Sequence, residues 1–153
     1  MNKLVEKLIL KEGIKSNIEI ENLKILIKEN TPSNFNIEWL SELEFKFLSK
    51  FSLGTLQMKG NPGAIEGIKG YAEIFNINGK AKIIIKTKIR SELYIFGVLS
   101  LLLPIIFILN ENEEFPLWVY FLMPLVFFWF RFMYRLQEKR LFNLIREYIN
   151  NLE

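Results

Sequence analysis

Two apolar runs near the C-terminal end constrain this chain more than any other feature. Residues 93–109 carry no charge, and residues 115–134 carry one, Arg131. At ~1.5 Å per residue the first run reaches roughly 26 Å as an α-helix, against the ~30 Å hydrocarbon core of a bilayer. The five residues between the runs, Asn110-Glu111-Asn112-Glu113-Glu114, leave room only for a tight turn. A helix packed in a soluble core seldom lacks a polar face for this long. The pattern therefore predicts a two-span helical hairpin over 93–134, with spans at 93–109 and 115–134.

The flanking residues orient that hairpin. Trp118, Tyr120, Trp129, Tyr134 and Tyr94 fall near the predicted ends, as an aromatic belt would. Lys86, Lys88 and Arg90 precede the first run, Arg131, Arg135, Lys139 and Arg140 close or follow the second, and the turn is acidic. Positive charge kept to one side predicts both termini in the cytoplasm of a bacterial inner-membrane protein. Arg131 would then reach the inner headgroups. Pro104 and Pro124 fall at similar depth and each removes one helical hydrogen bond, which predicts paired kinks near the midplane. Gly97 and Ser100 permit close approach of a neighbouring helix.

Residues 1–92 carry 15 Lys and Arg against 11 acidic residues, and predict an α+β domain built on an antiparallel sheet. Its clearest motif is Asn78-Gly79, a two-residue type I′ turn signal. Pairing across it sets Ile74 opposite Ile83 and Ala72 opposite Ile85, on one face with Ala81, Thr87 and Ile89. The other face carries Lys80, Lys82, Lys86, Lys88 and Arg90, with Tyr71 and Phe75 among them. Strict alternation of this kind predicts one buried and one wet face. Residues 43–48 and 53–58 read as two further strands, while Leu40, Leu43, Phe47 and Phe51 also fit one helical face. Ser16-Asn17-Ile18-Glu19 reads as a capping box opening a helix over 17–30, ended by Thr31-Pro32, while Ile18 and Ile20, then Leu23, Ile25 and Ile27, also fit strands. Gly60-Asn61-Pro62-Gly63 suits a type II turn. Residues 4–10 fit either helix or strand.

Residues 135–153 predict an amphipathic helix. Leu141, Phe142, Leu144, Ile145, Tyr148, Ile149 and Leu152 share one arc, and Asn143, Arg146, Glu147, Asn150 and Asn151 share the other. The apolar arc calls for a cover: the chain's own domain, a second copy or the membrane surface.

The residue inventory narrows the chemistry. Cys, His and Asp are absent, which removes disulfides, thiol and imidazole metal ligands, thiol nucleophiles and imidazole bases. No catalytic residue, cofactor or metal ligand is assigned, and the start shows no signal peptide. The glycines at 60, 63, 67 and 70 do not form a phosphate loop. The carboxylate pairs Glu19/Glu21 and Glu42/Glu44 have the spacing of one strand face, a pattern common on any solvated surface. The basic strand 80–90 is the strongest candidate surface. Lys82, Lys86, Lys88, Arg90, Arg131, Arg135, Lys139 and Arg140 are the candidate lipid-headgroup contacts.

The order of a segment ending Asn78-Gly-Lys-Ala-Lys-Ile-Ile-Ile-Lys-Thr-Lys-Ile-Arg90, two apolar spans and a short helix resembles, from about Gly67 onward, the layout of small bacterial membrane proteins with a β-rich cytosolic domain. The resemblance implies no activity. The expected function is a non-enzymatic, membrane-anchored module that binds a protein partner or serves as an accessory subunit of an inner-membrane assembly. The alternatives are an anionic-lipid-interacting or sensing domain using strand 80–90, and a component of a small oligomeric pore or transporter. Expected partners are the lipid bilayer and a protein or second copy meeting the hairpin or helix 135–153. Neither nucleic acid nor a small-molecule substrate is expected.

Overall fold

The computed structural model describes residues 9–50, 68–77, 79–88, 95, 97–100, 102, 105, 106 and 117–153. They fall into two units, one of Met1–Lys88 with Leu136–Glu153 and the other of Ile89–Arg135.

The first unit holds five antiparallel strands: β1 (Lys11–Lys15), β2 (Phe35–Trp39), β3 (Glu44–Ser49), β4 (Lys69–Ile77) and β5 (Lys80–Thr87). Their order across the sheet is β1-β5-β4-β3-β2. The centre is the β4–β5 hairpin, and its register is the one the Asn-Gly turn predicts, with Ile74 opposite Ile83 and Ala72 opposite Ile85. Gly79 has φ +82° and its N–H donates to Asn76 Oδ1 at 3.0 Å. That left-handed conformation is the reason a glycine follows the turn's first residue.

Alternate residues bury one face of the sheet. Ile14, Phe45, Phe47, Ala72, Ile74, Ala81, Ile83 and Ile85 are all removed from solvent. Across from Phe47 stands Gly70, where a Cβ would lie 2.3 Å from the Phe47 ring. The missing side chain is therefore the space the ring occupies.

Two helices supply the cover. Helix α1 (Ile20–Glu29) contributes buried Leu23 and Ile27. Helix α2 (Leu117–Asn150) contributes Leu141, Phe142, Ile145 and Ile149 from its last part, which belongs to the first unit. Phe142 meets Phe47 with ring centroids 6.1 Å apart, and Tyr148 stands edge-on to Phe35 at 5.5 Å. The Tyr148 hydroxyl donates to the carbonyl of Asn30 at 2.6 Å, binding α2 to the end of α1. The apolar arc of 135–153 is thus covered by the chain's own sheet and α1. Its polar side stays outward, and Arg146 pairs with Glu12.

In the second unit, helical residues 97–100 lie against α2. A Cβ on Gly97 would meet the Phe127 ring at 3.1 Å, and the Ser100 hydroxyl donates to the Gly97 carbonyl at 2.8 Å. The close approach to a neighbouring helix is thus formed at Gly97, and the bond given for Ser100 stays within its own turn.

The structure corrects several expectations. Among the described residues, no helix is long and apolar enough to cross a membrane. That finding overturns the two-span membrane hairpin as fold class, and with it the inner-membrane location with both termini cytoplasmic. The second apolar run does not stand as an element of its own. It is the opening part of α2, a 34-residue helix that goes on through Arg131, Arg135, Glu138, Lys139 and Arg140. Pro124 lies inside that helix, so its midplane role falls with the hairpin, while Pro104 lies outside the described residues. The capping box is also corrected. The Ser16 hydroxyl accepts from the N–H of Ile18, and α1 starts later, at Ile20, with extended Glu19 before it. Residues 53–58, the turn at 60–63, most of 4–10 and Arg90 lie outside the described residues.

Candidate binding surface

The second face of the sheet carries every charged strand residue but Glu12 among the described residues. The register arranges its side chains in rows. One row runs Lys11, Lys86, Tyr71, Lys46, Glu38 from β1 to β2. The next runs Gly13, Ile84, Glu73, Glu44, and the third runs Lys15, Lys82, Phe75. Neighbouring strands lie about 4.8 Å apart, and same-face rows about 7 Å apart.

Charge is unevenly settled across these rows. Toward β2 the lysines are matched, with Lys46 paired to Glu38 at 2.7 Å and Lys86 to Glu73. Toward β1 they are not. Lys11 stands directly opposite Lys86, and Lys15 directly opposite Lys82. Like charges facing across a strand pair repel and cost stability. Lys11, Lys15 and Lys82 form no ion pair among the described residues. Gly13 sits between the two lysine pairs, where a Cβ would come within 3.5 Å of the Lys82 Cε. The corner of β1 and β5 is therefore a net positive patch bordered by Phe75 and Ile77, which are 43% and 47% exposed.

Of the residues singled out from sequence, Lys82 and Lys86 lie in this patch, and Lys88 is exposed just past the end of β5. Arg131, Arg135, Lys139 and Arg140 lie on α2, the first two in the second unit and the last two in the first. Sequence reading missed Lys11, Lys15 and Lys46. The signal available for β1 was the alternation Lys11, Gly13, Lys15, which matches the wet face of β5 residue for residue.

A second surface lies on the part of α2 that belongs to the second unit. Trp118, Leu125 and Phe132 repeat every seven residues. Phe121 and Phe128 follow three places after the first two of them, and Leu122 and Trp129 four places after. All seven are exposed, Phe121 at 74% and Phe128 at 68%. This is the a, d and e spacing of a helix seam.

Other chemistry is sparse. A pocket of about 180 Å³ is lined by Asn34, Ser49, Gln137, Arg140, Leu141 and Leu144. Among the described residues no group of three or more acidic side chains could hold a metal ion. Glu19 precedes α1, and Glu21 pairs with Lys24 at 3.2 Å on that helix, so the two do not share a strand face. Burial raises the pKa of the Tyr148 hydroxyl above the usual tyrosine value. Comparison with family models, curated proteins and solved structures finds no match for this chain.

Proposed function

We propose that this chain is a non-enzymatic binding module that docks a protein partner through the apolar seam of α2, and that the partner is a second copy of the chain. The carrying observation is the exposed row Trp118, Phe121, Leu122, Leu125, Phe128, Trp129 and Phe132. Isolated apolar side chains on a surface are ordinary, but a contiguous patch of this extent marks an interaction site. Aromatic side chains offer 150–250 Å² each, so seven large residues more than two-fifths exposed present on the order of 800 Å². A stable complex of standard size buries about 800 Å² per partner. The seam is uncharged, which lets it meet its own copy without opposing like charges.

The test is the molar mass of the full chain beside Phe121→Glu/Phe128→Glu, followed by light scattering. The native chain is expected at a multiple of 18.2 kDa and the double variant at the single-copy value. A native chain at the single-copy mass contradicts the proposal.

A further inference from the structure

The positive corner of the sheet and the tip of the β4–β5 hairpin point, independently of the α2 seam, to a second interaction. We infer that this corner docks on an anionic lipid headgroup surface, with Phe75 and Ile77 entering the interface and Lys15, Lys80 and Lys82 meeting the phosphates. This is contact from one side, and it needs no helix to cross the bilayer.

Three observations converge on it. First, the lysines are arranged for an external anion. Lys15 and Lys82 face one another across β1 and β5 and form no ion pair among the described residues, although carboxylates do settle Lys46 and Lys86 two rows away. A bound anion converts that repulsion into a shared contact. Second, Phe75 and Ile77, apolar side chains left exposed on this face, stand beside lysines of β5. Phe75 is the cross-strand partner of Lys82, and Ile77 of Lys80. An aromatic and an aliphatic group flanked on the β5 side by lysines match an interface where headgroup charge overlies acyl chain. Third, the tip is held in shape. Gly79 turns the chain with φ +82°, Asn76 accepts its N–H, and Lys80 Nζ donates to Asn17 Oδ1 at 3.1 Å. A preformed tip loses little freedom on docking.

An acidic protein partner is served less well by this corner, because Phe75 and Ile77 lie on the same patch as the lysines rather than in a groove. Single-stranded nucleic acid would stack on Phe75 and Tyr71. Tyr71 is half-buried in a row that contains the Lys86–Glu73 pair's lysine and ends on Glu38, so the aromatic pair is only half presented.

The chain has no cysteine, so Ile77→Cys in the full chain carries one environment-sensitive dye at the tip. Asn36→Cys carries the same dye at the far side of the same face as a control. Vesicles of phosphatidylcholine mixed with phosphatidylglycerol are expected to blue-shift the label at 77 and leave that at 36 unchanged. Vesicles of phosphatidylcholine alone are expected to leave both unchanged. Adding Lys15→Gln and Lys82→Gln should weaken the apparent vesicle affinity about thirtyfold, and Phe75→Ser should shrink the shift. Rising salt should abolish the shift in the labelled chain that keeps both lysines, a readout independent of how the lysine variants fold. No shift with anionic vesicles overturns the inference, as does an equal shift with neutral ones. A shift produced by a single-stranded oligonucleotide and not by vesicles reassigns the corner to nucleic acid.

Discussion

Gly70 shows how much one residue decides in this sheet. It stands opposite Phe47 on the buried face, and the ring fills the volume a side chain would take. In a sequence, a glycine at a strand's second position reads as a turn remnant or a weak point. Here it is a packing partner, and Phe47 in turn reaches Phe142 of α2. Gly70→Ala should destabilise the first unit by about 2 kcal/mol, within the usual cost of overpacking a filled core. Urea unfolding checks this, and a variant as stable as the native chain would show that the ring moves aside freely. Nothing in the local sequence announces the contact, since the glycine and the phenylalanine are 23 positions apart and on strands joined only through the intervening chain.

At the scale of elements, what could be read and what could not follows from how each element is specified. The β4–β5 hairpin is specified locally, by an Asn-Gly turn and period-two alternation, and its register agrees residue for residue with the expected pairing. The last part of α2 is specified by its apolar arc, and Leu141, Phe142, Ile145 and Ile149 are buried as that arc requires. β1 and β2 are five residues each and contain Gly13 and Asn36, which disfavour strands on their own. They exist through pairing with β5 and β3, information that no short window holds. For the same reason the positive corner was half visible, with the lysines of β5 evident and those of β1 missing until the sheet was assembled.

The junction between α1 and α2 yields a prediction at this scale. Tyr148 donates to the carbonyl of Asn30 and stands against Phe35, and burial raises its pKa. With the folded-state value above the unfolded one, stability is complete below about pH 10 and falls as pH rises through the folded value. Tyr148→Phe should cost about 1 kcal/mol at neutral pH through the lost hydrogen bond. It should also flatten the alkaline decline, measured by urea unfolding from neutral pH to above pH 10. An unchanged slope in the variant would assign the decline to other groups.

At the scale of the whole molecule, the two apolar runs misled for a definable reason. A run without charge is scored by length and hydropathy, whereas the structure sets the second run inside one long helix whose later part is amphipathic and belongs to the sheet unit. What survives of the original signal is its exposed apolar seam, now read as a protein-docking surface. The measurement that tests this most directly uses the cysteine-free chain. Phe121→Cys, Leu125→Cys, Phe128→Cys and Phe132→Cys are expressed one at a time and oxidised in intact cells, with Asn143→Cys, exposed on the polar side of the same helix, as the control. At least one seam position is expected to trap a disulfide-linked pair of chains while Asn143→Cys does not. Seam positions that link no more than Asn143→Cys would contradict docking through α2.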